Sequence, residues 1–405
     1  MISDLEKIYS VSANNMKRSV IRELLKLTAE PDIISFAGGL PAPASFPKDE
    51  IREVMLEVMD KEPDFVLQYG TTEGDSLLRK RLVEHQYRTV EGMDITEENL
   101  IITTASQQAL DLIGKIFINW GDKIIVGLPS YLGGLSAFRN YGADMVGIEL
   151  DEHGMRSDLL EKTLSEMKAK NEKPKFIYVI PDFQNPTGIT MPEYRRKEIL
   201  DLARKFDVLI IEDSPYRELR FEGESQKTIY SMDNTGQVVM LGTFSKILCP
   251  GFRIGWVIAH KEIINKIVMA KQATDLCTSP FTQRIAARYL QKGFMESRIQ
   301  LNVDLYRSKL DLMISSFEKY MPDGVSWVKP EGGLFLFLTL PEHIDTQEMF
   351  MRAVEKKVAY VIGTAFYANG MGKNTMRINF SYSDIDKIEE GVKRLSEVIK
   401  EELAK

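Results

Sequence analysis

Phe176-Ile177-Tyr178-Val179-Ile180, a helix-period stretch over Met191–Phe206 and Val208-Leu209-Ile210-Ile211 follow one another in this chain. The sequence reads as strand, helix, strand. Strands that are apolar almost throughout belong in a mostly parallel sheet covered on both faces. The same alternation extends outward in both directions. Upstream are Asn99-Leu100-Ile101-Ile102-Thr103 and Lys123-Ile124-Ile125-Val126-Gly127, with a helix-period segment over Gln107–Ile118 between them. Downstream are Val238-Val239-Met240-Leu241 and Ile254-Gly255-Trp256-Val257-Ile258-Ala259. The expectation is a three-layer α/β domain over residues 47–295, built on a mostly parallel (mixed) sheet of the seven-stranded type.

Beyond it the pattern changes. A helix-like run over 296–320, strand-like Gly333–Leu338 and Met376–Phe380, and an amphipathic helix over Ile385–Leu403 predict a smaller α+β domain at 296–405. Residues 1–46 read as an arm packing with that domain. The arm holds a helical piece, Ser19–Leu25, and a Gly/Pro-rich loop, Phe36-Ala37-Gly38-Gly39-Leu40-Pro41-Ala42-Pro43.

A chain of 405 residues exceeds one small core, and 44% hydrophobic with 27% charged residues is ordinary globular composition. A formal net charge of -7 disfavours nucleic-acid binding. No apolar run approaches a membrane span, and Met1-Ile2-Ser3-Asp4-Leu5-Glu6-Lys7 is not a signal-peptide start. A cytoplasmic chain with neither membrane nor nucleic-acid partners is expected. Cys249 and Cys277 form no CxxC pair and read as reduced thiols. The four histidines are scattered, none at metal-ligand spacing with another, so no metal is expected.

Ligands of open α/β sheets bind beyond the carboxyl ends of the strands. Each unusual polar cluster falls there. After the first strand, Thr104-Ala105-Ser106-Gln107-Gln108 opens a helix whose N–H groups suit an anion, or merely caps it. After the next, Pro129-Ser130-Tyr131 offers a ring for stacking, or for packing. Asn185, in Pro181-Asp182-Phe183-Gln184-Asn185-Pro186-Thr187-Gly188, is a neutral donor suited to a phenolic oxygen, or part of a plain Asn-Pro turn. In Glu212-Asp213-Ser214-Pro215-Tyr216, Asp213 suits a protonated ring nitrogen, or simply caps a helix, and Tyr216 suits the oxygen that Asn185 would serve. Last comes Thr243-Phe244-Ser245-Lys246, with Arg253 seven positions on. A lysine among hydroxyls and a guanidinium suits a phosphate-bearing aldehyde: the amine forms a Schiff base and its neighbours hold the phosphate. Together these pieces describe a site for pyridoxal 5'-phosphate.

Over nearly its full length the chain resembles the class I/II aminotransferases of the fold-type-I pyridoxal-phosphate superfamily. The motifs are Tyr69-Gly70-Thr71-Thr72-Glu73-Gly74, Asn185-Pro186-Thr187-Gly188, Ser245-Lys246, Gly251-Phe252-Arg253-Ile254-Gly255-Trp256 and Met376-Arg377-Ile378-Asn379-Phe380. Ser35-Phe36-Ala37-Gly38-Gly39-Leu40-Pro41, preceded by Ile21-Arg22-Glu23-Leu24-Leu25, is most similar to the α-aminoadipate/kynurenine subgroup. Ala105 stands where many relatives have Gly, a change the helix start is expected to tolerate, and Thr243 where they often have Ser.

The resemblance implies residue roles. Lys246 would be the Schiff-base lysine and proton shuttle. Asp213 would keep the pyridine nitrogen protonated, Asn185 and Tyr216 would bind the ring oxygen, and Tyr131 would stack on the ring. Ser106, Gln107, Ser245 and Arg253 would hold the phosphate, with Thr243 assisting. Tyr69 would reach the phosphate of a partner subunit, which makes a homodimer the expected assembly. Arg377 would grip the substrate α-carboxylate as a bidentate fork, or else form a surface ion pair, with Asn185 touching the carboxylate and Gly39 bringing backbone close. Arg22 would meet a distal side-chain carboxylate, or is an exposed helix arginine. The implied reaction moves an amino group from 2-aminoadipate, an aromatic or another bulky amino acid to a 2-oxo acid, 2-oxoglutarate first. A β- or γ-eliminating lyase is the alternative on the same cofactor. An aminotransferase-like ligand sensor of a transcription regulator is a more distant one, since it would carry a winged-helix domain.

Overall fold

The computed structural model describes residues 7–16 and 32–405. Its large sheet comprises β1 (Leu100–Thr103), β2 (Lys123–Leu128), β3 (Asp144–Asp151), β4 (Gly154–Met155), β5 (Phe176–Val179), β6 (Leu209–Asp213), β7 (Val238–Thr243) and β8 (Gly255–Ile258). Across the sheet the order is β1-β8-β7-β6-β5-β2-β3-β4. The strands from β7 through β3 pair in parallel, while β8 runs antiparallel to both of its neighbours. β4 is a two-residue hairpin partner of β3, so the expected seven strands gain a short eighth.

Alternation along the strands feeds two separate cores. Ile124, Val126, Phe176, Tyr178 and Ile211 pack on one face with α1 (Ala105–Phe117) and α2 (Leu132–Asn140). Ile125, Ile177, Val179 and Ile210 pack on the other with α3 (Glu193–Phe206). Both faces are covered, which is why these strands are apolar throughout. β3 escaped the sequence reading. It lies near the sheet edge, is only partly buried, and carries Asp144, Glu149 and Asp151 around Gly147.

The C-terminal part forms a second, antiparallel sheet: β9 (Ser326–Trp327), β10 (Phe335–Thr339), β11 (Val361–Ile362) and β12 (Thr375–Asn379), ordered β9-β10-β12-β11. Two long helices, α4 (Phe294–Tyr320) and α5 (Ile385–Leu403), pack against one another here. Ile34–Ser35 pairs in parallel with Val358–Ala359, which carries the Gly/Pro-rich loop toward β12. The short helix Val11–Asn15 lies instead against α2, where the Ser12 hydroxyl donates to the Asn140 carbonyl. Arg22 lies outside the described residues. Among the described residues no helix is long and apolar enough to cross a membrane.

Candidate active site

The strand ends of the large sheet build the site. β6 finishes in Glu212-Asp213, and alternation sends the two carboxylates to opposite faces. Glu212 accepts from the Ile229 and Tyr230 N–H groups at 3.0 and 2.8 Å, fixing a helix start. Asp213 accepts at Oδ2 from the Tyr178 hydroxyl at 2.8 Å, and its buried Oδ1 has no partner. Burial raises the Asp213 carboxyl to about 6, and the Tyr178 bond opposes that rise. A buried carboxylate oxygen left over in this way suits a protonated ring nitrogen.

Asn185 and Tyr216 meet above it: Asn185 Nδ2 donates to the Tyr216 hydroxyl at 3.4 Å. The loop carrying Asn185 is anchored by fully buried Arg196, which donates to both Asp182 oxygens at 2.7 and 3.2 Å and to the Met191 carbonyl at 2.8 Å. Gln184 adds a bond to the Pro129 carbonyl at 2.9 Å, tying this loop to the one that leads into Tyr131. Burial raises the Tyr216 phenol, keeping it a neutral donor.

Arg377 reaches the same spot from β12. It is 1% exposed, donates to Asn185 Oδ1 at 3.0 Å and to the Ala37 carbonyl at 2.8 Å, and its Nε has no partner. Phe335 and Phe366 flank the guanidinium, their ring centroids 4.3 and 5.1 Å from its carbon. Phe335 also meets the Tyr216 ring edge-on at 5.7 Å, so one side chain touches groups from both sheets. Burial lowers Arg377 to about 10, which still leaves it a cation at neutral pH.

Lys246 leaves the turn after β7, mostly buried, with Nζ donating to the Gly39 carbonyl at 2.8 Å and lying 5.9 Å from the Tyr216 ring centre. Burial first, then the charges of Arg377 and Arg253, lower it from the usual lysine value to about 8. Gly39 in turn lies against Phe335 and Arg377, 3.4 Å and 3.9 Å from where a Cβ would stand.

Ser106 and Gln107 lie in the first turn of α1. Ser106 Oγ is 3.4 Å from the Gly242 carbonyl, and the Tyr131 hydroxyl is 3.5 Å from Gln107 Oε1. A Cβ on Gly133 would stand 2.4 Å from the Tyr131 ring, so glycine is what lets the ring lie there. The Thr243 and Ser245 hydroxyls are 2.9 Å apart, and Thr243 Oγ1 also contacts the Ile254 carbonyl at 2.8 Å and the Ser245 N–H at 3.1 Å. Thr243 thus fixes the turn that presents Ser245 and Lys246. Arg253 is exposed and has a φ of 53°. Ala105 also has a left-handed backbone, φ 60°, so the Gly-to-Ala departure falls on a strained residue. Gly255 explains the crowding: a Cβ there would stand 2.7 Å from the Ala105 carbonyl carbon and the Ser106 nitrogen.

The structure gathers Lys246, Asp213, Asn185, Tyr216, Arg377, Gly39 and Tyr131 around one site. Tyr69 is 79% exposed. Tyr178, Phe366 and the Asp182–Arg196 pair were not singled out from sequence. Tyr178 carried a signal: a hydroxyl inside an apolar strand, in register with Ile211 and so on the same face as Asp213 two residues on.

The family model for aminotransferase class I and II matches residues 41–395. An aromatic-amino-acid aminotransferase of Thermococcus litoralis is 50% identical over 402 residues, 99% of this chain and 96% of that protein. A 2-aminoadipate transaminase of Thermus thermophilus is 38% identical, covering 98% of this chain and 97% of its own length. The structure of a Pyrococcus horikoshii kynurenine aminotransferase superposes with a TM-score of 0.96 at 50% identity, covering 100% of this chain and 99% of that one. With its buried lysine, its half-satisfied aspartate and its enclosed arginine on a fold-type-I frame, the chain belongs to the class I and II aminotransferases and uses pyridoxal phosphate as its cofactor.

Proposed function

We propose that the protein transfers the amino group of a bulky 2-amino acid, aromatic amino acids and 2-aminoadipate foremost, to 2-oxoglutarate. The observation that carries the reading is Arg377: a buried cation with an unpartnered Nε, joined to Asn185 and close enough to Lys246 to lower its pKa. Such a cation, beside a basic amine, suits the carboxylate of an amino or oxo acid. The names of the aromatic-amino-acid, 2-aminoadipate and kynurenine relatives support the choice of donor.

The residues fit the cofactor through Asp213 Oδ1, the Asn185–Tyr216 pair and the opening turn of α1. Lys246 holds the aldehyde, Asp213 the ring nitrogen, Asn185 and Tyr216 the ring oxygen, and Tyr131 the ring face. Ser106, Gln107, Ser245 and Arg253 hold the phosphate, with Thr243 assisting through the turn that carries Ser245. Bound there, the cofactor supplies an electron-withdrawing ring that stabilises negative charge at the substrate Cα. Lys246, lowered toward about 8, is the base that takes and returns the Cα proton. Arg377 and Asn185 orient the substrate carboxylate, and the Gly39 backbone borders it.

The assembly in this proposal is a homodimer in which Tyr69 reaches the partner's phosphate. Leu56, Phe65, Leu67 and Tyr69 form a run of exposed apolar side chains that supports it. Residues 47–295 and 296–405 act as the two domains and meet at Phe335 and Arg377. A cytoplasmic setting accords with the free thiols of Cys249 and Cys277. A panel of amino donors at fixed 2-oxoglutarate tests the reading. Glutamate formed in step with donor consumption is expected. Ammonia release without an acceptor assigns the site to elimination instead.

A further inference from the structure

A polar network behind α1, built on a buried lysine, has no part in the site so far. Lys271, at the end of the helix Lys261–Gln272, is fully buried. Its ammonium donates to Gln108 Oε1 at 2.8 Å and to the Asp275 oxygens at 2.7 and 2.9 Å. Gln108 Nε2 donates to Asp275 Oδ2 at 2.6 Å, and Gln108 Oε1 also accepts the Thr104 N–H at 2.7 Å. The Thr104 hydroxyl lies 3.0 Å from Asp275 Oδ2 and 3.1 Å from the Thr278 hydroxyl. Gln108 and Asp275, 167 positions apart, thus bind the backbone N–H and the hydroxyl of one residue.

That residue precedes the left-handed Ala105, which precedes Ser106 and Gln107. A buried ammonium is costly to desolvate, and an apolar replacement is often no less stable. What the network supplies is position. It holds Thr104 on one side while Gly255 admits the Ala105–Ser106 backbone on the other.

We propose that Lys271, Asp275 and Gln108 are positioning residues for the cofactor's phosphate group. They hold the Thr104–Ala105 turn so that the opening N–H groups of α1 and the side chains of Ser106 and Gln107 face the anion. The inference rests on the reading of Ser106 and Gln107 as phosphate ligands.

The test compares two ligands on the full chain, stripped of cofactor and titrated with pyridoxal phosphate or with pyridoxal, which lacks the phosphate. The ratio of the two dissociation constants reports the phosphate contacts alone. Wild type is expected to favour the phosphorylated ligand strongly. Lys271→Met, Asp275→Asn and Gln108→Met should each cut that ratio by ~10-fold or more while pyridoxal binds as before, the size typical of lost supporting contacts. Three independent variants keep the test open should one fail to fold. A ratio unchanged in the variants, or equal weakening of both ligands, overturns the inference and leaves the network a structural one. No preference for the phosphorylated ligand in wild type overturns the Ser106 and Gln107 reading itself, and the inference with it.

Discussion

Tyr178→Phe is the sharpest perturbation of the site. Tyr178 is fully buried and meets Phe138 edge-on at 5.4 Å, a packing that phenylalanine keeps. Only the hydroxyl bonded to Asp213 Oδ2 at 2.8 Å is lost. Burial lifts Asp213 from 3.8 to about 6, so the native fold favours the protonated carboxyl. That contribution to stability is fully present below the unfolded value near pH 4 and is lost as pH rises to about 6, a change of roughly 3 kcal/mol. A hydrogen bond is worth about 1 kcal/mol to a neutral acceptor and about 2 kcal/mol to a charged one. Removing it therefore raises the Asp213 pKa by about one further unit, and the loss of stability extends to about pH 7. The variant should be less stable than wild type by about 1 kcal/mol at pH 5 and about 2 kcal/mol at pH 8, read from urea unfolding of the cofactor-free chain. A deficit equal at both pH values, or larger at pH 5, refutes the assignment of Tyr178 as the group that holds Asp213 ionised.

Lys246→Ala should fold and retain cofactor but turn over orders of magnitude more slowly, whereas wild-type turnover should climb with pH as the amine deprotonates near about 8; near-normal activity in the variant contradicts the base assignment. Phe335→Leu removes the ring over Arg377, and a cation–π contact of about 1–2 kcal/mol translates into a donor KM higher by about 5- to 30-fold with kcat little changed. A collapse of kcat at constant KM would show that Phe335 acts on the chemistry instead. Ala105→Gly relieves a left-handed residue worth about 1–2 kcal/mol, partly offset by the added freedom of glycine when unfolded, so a gain of about 0.5–1 kcal/mol is expected in chemical denaturation. Gly255→Ala drives a methyl into the Ala105–Ser106 backbone and should cost about 1–3 kcal/mol together with weaker cofactor retention, measured by cofactor release on dilution.

The parts of the fold legible in the sequence were those whose burial leaves no room for polar residues. β5, β6 and β7 are buried at nearly every position and announce themselves as apolar runs. β3 sits toward the sheet edge, alternates with charge and was passed over. The same division holds in the site. Asp213 ends a strand and Lys246 and Asn185 lie in the turns beyond two others, and a reactive side chain at the end of an apolar run is conspicuous. Phe366 and Lys271 act through contacts with residues distant in sequence, which no local pattern encodes. Ala105 shows the limit from another side. A helix-opening Ala looks harmless by propensity, and only the backbone angle reveals that the position suits glycine.

The Gly/Pro-rich loop is held in an unusual way. The carbonyl oxygens of Phe36, Ala37, Gly39 and Leu40 accept from the Asn379 N–H, Arg377, Lys246 and the Ser381 hydroxyl, each at 2.8 Å. None of these four bonds touches a loop side chain. The Leu40 side chain, 42% exposed, is therefore free of the scaffold that positions its own backbone. Replacing it changes the exposed face of the loop without unfastening it, so Leu40 is a position where single substitutions are tolerated while Lys246 and Arg377 keep their backbone partners.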